Sequence, residues 1–102
     1  MKTFQDIIAW QKAHKLTLAI YKATEGFPKH ETFALIPQIR RCAVSIPSNI
    51  AEGFKRRSKK DSTHFCVIAE GSLEELKYQS LLAYDLHYIS KEQYTELERY
   101  GR

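Results

Sequence analysis

Apolar residues recur at helical spacing in four stretches of this chain. The first predicted helix runs from Asp6 to Thr24. At 100° per residue Ile7, Trp10, Ala13, His14, Leu16, Thr17, Leu18, Ile20, Tyr21 and Thr24 cover a wide arc, and Lys12, Lys15 and Lys22 fall opposite it. An arc this wide meets more than one neighbour, so it suits a bundle. His14 lies inside it and reads as a packed, hydrogen-bonded histidine. Asp6 stands where an acid suits a helix N-terminus. Gly26 and Pro28 are stop signals, and residues 29–36 form a connector with room for a short helical turn.

The second helix is predicted from Pro37 to Lys55, with proline at the first helical position, where its missing N–H is no loss. Ile39, Ala43, Ile46, Ile50 and Gly53 make an apolar stripe. Beside them Gln38, Cys42, Ser45, Asn49 and Glu52 make a small polar one. Pro47 removes the bond to the carbonyl of Ala43 and kinks the helix, pointing away from the apolar stripe. The alternative is two shorter helices broken near Ser45 to Ser48. Apolar periodicity stays in phase across the proline, which favours one kinked helix.

A turn follows at Lys55-Arg56-Arg57-Ser58-Lys59-Lys60. Ser58 and Asp61 resemble a capping box. The third helix is predicted from Lys59 to Leu86 on the stripe Cys66, Ala69, Leu73, Leu76, Ser80 and Ala83. Its small residues allow close helix approach. Gly71 in mid-helix costs about 1 kcal/mol against alanine, which points to a packing reason. Ser90 and Gln93 form a capping-box pair, so a short fourth helix starts at Lys91, with Tyr94 and Leu97 on its apolar edge. The pattern predicts an all-α fold, four helices in a small bundle.

Composition narrows the function classes. At 102 residues, 43% hydrophobic and 27% charged, one soluble globular domain spanning residues 1–102 is expected. No apolar run approaches a membrane span, and the N-terminus lacks a signal-peptide pattern, so a cytoplasmic protein without a membrane partner is expected. Cys42 and Cys66 are far apart and read as small buried hydrophobes, not as a disulfide. The four histidines show no metal-ligand spacing, and no cofactor is expected.

The net charge of +4 is unevenly placed. Residues 1–61 hold twelve Lys/Arg against five Asp/Glu, a net +7, and residues 62–102 hold four against seven, a net −3. The basic turn holds five cations in six positions. Candidate phosphate contacts are Arg40, Arg41, Lys55, Arg56, Arg57, Lys59 and Lys60, with Lys12 and Lys15 as extensions. The alternative for the turn is a solvated charged loop. The polar stripe Gln38, Ser45, Asn49 and Glu52, together with Arg41, is a candidate subunit seam. Glu70, Glu74 and Glu75 form an acidic patch, and nothing beside them builds a hydrolase site.

The sequence also resembles a known family. Trp10-Gln11-Lys12-Ala13, Ile20-Tyr21, Phe27-Pro28, Gln38-Ile39-Arg40-Arg41, Ser45-Ile46-Pro47-Ser48-Asn49-Ile50-Ala51-Glu52-Gly53, Arg56, Phe65, Ala69, Gly71-Ser72 and Glu75-Leu76 carry the resemblance. It is similar to the four-helix-bundle proteins first noticed as reading frames inside intervening sequences of bacterial 23S ribosomal RNA genes. The resemblance implies an up-down antiparallel bundle and homopentameric rings, and it implies no enzyme activity. Similar folds serve as accessory proteins of diversity-generating retroelements, acting with a reverse transcriptase and RNA. Pro37, Lys55 and His87 depart from the residues usual in the family, which are Ser, Gly and Gly.

Two functions are therefore in view: a non-catalytic ring-forming module that binds RNA or DNA through its basic surface, or a protein-protein scaffold in which basic and acidic halves dock head to tail. An enzyme has no motif to support it.

Overall fold

The computed structural model describes residues 1–101. Four α-helices carry the fold: α1 Ile8–Thr24, α2 Leu35–Phe54, α3 Lys59–Asp85 and α4 Lys91–Tyr100. Single 3-10 turns at Phe4–Asp6 and Lys29–Glu31 precede α1 and α2. α2 packs on α1 and α3, and α4 packs on α3 and α1. Connections this short reverse the chain each time, giving the antiparallel up-and-down bundle. At 27 residues α3 is the longest element, about 40 Å by helical rise. α4 has only 10 residues.

The core is where the stripes meet. Ile20, Ile39, Ala43 and Leu76 are at most 2% exposed. Burying each large aliphatic side chain contributes about 1.5–3 kcal/mol. Leu16, Ile46, Ala69, Ala83 and Leu97 complete the core.

Several expectations need correction. α1 begins at Ile8, not Asp6. Asp6 instead closes a capping box with Thr3 in the preceding 3-10 turn, accepting from the Lys2 and Thr3 amides at 2.9 and 3.1 Å. Those bonds hold its carboxyl below the usual range. His14, Leu18 and Tyr21 are exposed, because the true buried arc of α1 is narrower and centres on Leu16, Ile20 and Ala23. His14 stacks on Trp10 at 5.0 Å between ring centroids. Cys66 is exposed and Cys42 is buried.

α2 starts two residues before Pro37, which still lies in the first turn, where no N–H has an intrahelical acceptor. The helix is continuous through Pro47. Pro47 is buried rather than turned away from the packed face. The carbonyl it leaves free, that of Ala43, accepts from Thr17 Oγ1 on α1 at 3.1 Å. The same hydroxyl donates to Ala13 O at 2.8 Å. Further along this seam Arg40 Nε donates to Thr24 Oγ1 at 2.8 Å, and its guanidinium lies 4.5 Å from the centre of the Tyr21 ring.

The α2–α3 seam is built from small and polar groups. Ser45 and Ser72 hydroxyls meet at 2.8 Å, Asn49 Nδ2 donates to Ser45 O at 2.7 Å, and Cys42 Sγ donates to Ser72 O at 3.1 Å. Gly53 lets the helices close: a Cβ there would stand 3.2 Å from Phe65 Cβ and 3.3 Å from Ser62 O. Gly71, by contrast, faces open space, with nothing within 4 Å of an added Cβ. The close-packing reason expected for it lies nowhere within the described residues.

Ser58 caps α3 through the Asp61 amide, but only that half of a capping box forms. Ser90 and Gln93 form the full box at α4. α3 ends in a Schellman motif: Tyr88 N bonds Ala83 O at 2.8 Å and His87 N bonds Tyr84 O at 3.0 Å. His87 holds the left-handed position at φ 66°.

Candidate nucleic-acid interface and docking faces

The seven cations read as phosphate contacts do not converge on one site. Arg40 is committed to the α1–α2 seam through Tyr21 and Thr24. Arg41 is exposed on the outer edge of α2, 14 residues and so about 21 Å of helix from Lys55. Arg56 pairs with Glu52 one turn back and lies over the Phe65 ring at 4.7 Å. Lys55, Arg57, Lys59 and Lys60 remain together at the α2–α3 turn. All four are exposed, and no described side chain pairs with them.

The chain builds this turn deliberately against local preference. Lys59 and Lys60 occupy the first turn of α3, the end at which a helix presents its free N–H groups and positive dipole. A cation there is unfavourable and an anion favourable. Asp61 is the lone acid of that turn. Lys12 and Lys15 are exposed on α1. Lys12 borders a separate, apolar cleft of about 480 Å³ between α1 and α3, floored by Ile46, Ile50 and Phe54. The same cleft reaches Phe54 and Ser62, which flank the basic turn.

The five residues read as a subunit seam also divide. Ser45 and Asn49 are half-buried and bonded within the chain, Ser45 to α3. Glu52 pairs with Arg56. Gln38 and Arg41 are exposed. Of the five, Ser45 alone bonds to α3; Asn49 and Glu52 bond within α2 and its end.

Three features were not anticipated from the sequence. A shallow groove of about 530 Å³ lies along the first half of α2, lined by Pro37, Arg41 and Val44 and closed by Tyr21 of α1 and Thr32 of the connection. Tyr88 OH donates to Glu31 Oε2 at 2.7 Å and meets His30 Nε2 at 3.2 Å, clamping the α3–α4 turn to the α1–α2 connection. Glu31 also accepts from the Leu35 amide at the start of α2. The Tyr88 hydroxyl, and then the Leu35 amide, hold the Glu31 carboxyl below its usual range against partial desolvation. Third, Gln79 is 3% exposed and neither of its amide atoms has a partner. No sequence signal marks Glu31 and Tyr88, which lie 57 residues apart.

Among the described residues no cluster of three or more His, Cys, Asp or Glu is placed to hold a metal. The Cys42 thiol is pushed up to about 12 by burial and by the neighbouring Glu75 carboxylate, the opposite of an activated nucleophile. No helix among the described residues is long and apolar enough to cross a membrane.

The fold and these surfaces define an all-α, antiparallel helical-bundle protein with a cationic turn at one end. Within that class the chain belongs to the 23S rRNA-intervening sequence protein family, whose model matches residues 5–100. A crystal structure of a protein of unknown function from the S23 ribosomal protein family of Bacteroides thetaiotaomicron VPI-5482 is similar. It shares 26% identity at a TM-score of 0.81, over 92% of this chain and 88% of that one. No curated protein matches.

Proposed function

We propose that this chain is a non-catalytic, self-assembling bundle protein that binds the phosphate backbone of RNA or DNA through its α2–α3 turn. The observation that carries the reading is the cluster Lys55, Arg57, Lys59 and Lys60, exposed and unpaired at the positive end of α3. The four unpaired cations repel one another, Lys59 and Lys60 also oppose the α3 dipole, and a phosphate chain relieves both. Arg41 and Arg40 belong to a different surface and are not needed for this contact.

Self-assembly multiplies a small patch. A ring of five, the assembly that the family resemblance implies, repeats the turn five times, and weak contacts then add by avidity. Phosphate contacts position a nucleic acid without reading its bases, so weak sequence preference is expected.

The test is fluorescence anisotropy of a labelled single-stranded RNA over a salt series, with Lys55, Arg57, Lys59 and Lys60 replaced by glutamine. The native chain is expected to show affinity falling with salt at a log–log slope of about −0.7 per neutralised phosphate, and the variant to lose most of that slope. Equal affinity for the two proteins, or a flat salt profile, overturns the reading. In that event the scaffold reading stands. It is favoured by exposed Arg41 beside the apolar Tyr21 and Val44.

A further inference from the structure

α3 spans 27 residues and α4 only 10, about 40 and 15 Å by helical rise. α4 packs in the slot between α1 and α3 and stops at Tyr100. Beyond it the slot continues as the apolar cleft of about 480 Å³ between these two helices. Tyr100 and Gly101 line its near end, and Phe54 and Ser62 line its far end. Along α3 the cleft runs from Leu73 back to Ser62, about 16 Å, the rise of a helix of about 11 residues. A helix thus already fills this slot over part of its length.

The lining says what suits the rest. Its floor is Ile46 and Ile50 of α2, with Leu16 of α1 and Ala69 of α3 beside them. At the rim Ile8 is 68% exposed. Two opposite charges flank the floor. Lys12 stands on the α1 wall and Glu70 on the α3 wall, and no described side chain pairs with either. An occupant that satisfies both carries an acid on one flank and a base on the other, with an apolar stripe between. That is the pattern of an amphipathic helix. A fatty acid or other single-headed amphiphile answers only one of the two charges. Helix dipoles then set the direction. The partly negative C-terminal end of α4 favours the N-terminus of an incoming helix, and the basic turn beyond Phe54 favours its C-terminus.

We propose that the α1–α3 cleft is a docking site for a short amphipathic helix of another protein, which completes the four-helix cross-section where α4 stops. The helix continues the course of α4, antiparallel to α1 and α3. Its apolar residues at i, i+3, i+4 and i+7 meet Leu16, Ile46, Ile50 and Leu73. An acid on one flank pairs with Lys12 and a base on the other pairs with Glu70. All four helices of this chain bury an apolar stripe in their own core, so the incoming helix belongs to a different protein. The inference goes beyond the phosphate contact and does not rest on it.

The test uses the full chain and its own thiols. Cys66 lines the cleft and is exposed, while the buried Cys42 thiol is pushed up to about 12, so alkylation by iodoacetamide reports on Cys66. The probe is a synthetic peptide of about 14 residues, an amphipathic helix with a leucine stripe, glutamates on one flank and lysines on the other. At saturation it is expected to slow alkylation at least roughly tenfold, and a shuffled peptide of the same composition to leave the rate unchanged. Lys12→Glu is expected to weaken the peptide, by fluorescence anisotropy, about tenfold. A peptide with lysine in place of its glutamates is expected to bind that variant better than the native chain. Circular dichroism confirms that the variant is folded. Equal protection by the two peptides, no protection, or no effect of Lys12→Glu overturns the proposal. So does a Cys66 that resists alkylation in the chain alone, because the cleft is then covered without a partner. Protection by dodecanoate and not by the peptide assigns the cleft to a small amphiphile instead. No nucleic acid enters the assay, so each of these outcomes leaves the phosphate reading standing.

Discussion

The hydroxyl of Thr17 in α1 donates to the carbonyl of Ala43 in α2, the carbonyl that Pro47 leaves without its helical partner. A proline in a helix interior removes one backbone donor, and a buried carbonyl without a donor is costly. Here the neighbouring helix supplies it. The same proton is shared with Ala13 O, so the threonine ties both helices together at one point. This explains how α2 stays continuous through Pro47 and why Thr17 sits among the buried residues of α1.

Thr17→Val keeps the shape and removes the donor. It is expected to destabilise the fold by about 1–3 kcal/mol in denaturant unfolding. Pro47→Ala returns a backbone N–H to Ala43, so the Thr17→Val cost is expected to shrink in that background. Equal costs in both backgrounds would mean that the two residues are not coupled.

Gln79 buries an amide without partners. Gln79→Leu has nearly the same volume and removes both unpaired groups. A gain of about 1–3 kcal/mol in unfolding free energy is expected. A loss instead would show that the amide is satisfied in solution, for example by a bound water.

His87 occupies the left-handed position that closes α3. A side chain there is strained and glycine is not. His87→Gly is expected to raise stability by about 1 kcal/mol, read as a higher denaturation midpoint at unchanged m-value. A lower midpoint would show that the imidazole makes a contact worth more than the strain.

The Glu31–Tyr88 clamp makes stability sensitive to acid. The carboxyl is lowered from 4.5 on folding, so its contribution is fully present above that value and is lost as pH falls through the lower folded one. Melting temperature is expected to drop on acidification below pH 4.5 less steeply in Glu31→Gln than in the native chain. Asp6, also lowered, has the same sign, and Asp6→Asn serves as the control that separates the two. Parallel profiles for native chain and Glu31→Gln would remove the clamp as a source of acid sensitivity.

The helices themselves were legible in the sequence because periodicity and end signals are local. Ser90 with Gln93, Ser58, and Gly26 marked their boundaries through groups three or fewer residues away. The basic turn was legible for the same reason. The seam assigned to Ser45 and Asn49 was read as facing another subunit, since a polar stripe beside an apolar one shows no partner. Ser45 meets Ser72, 27 residues away on α3, and Asn49 bonds back to Ser45. The Cys66 and Gly71 readings went astray in the same way: spacing tells which residues share a face, not which of two apolar faces is covered.

By itself, then, the sequence determined four helices, their order, the serine caps of α3 and α4 and the cationic turn, because each depends on contacts within a turn or two of helix. Tertiary structure alone decided which side of α3 is buried, which arginine is spent on Tyr21 and Thr24, and how the carbonyl above Pro47 is satisfied. Those outcomes depend on groups 16 to 30 residues apart, brought together by packing that no single helix encodes.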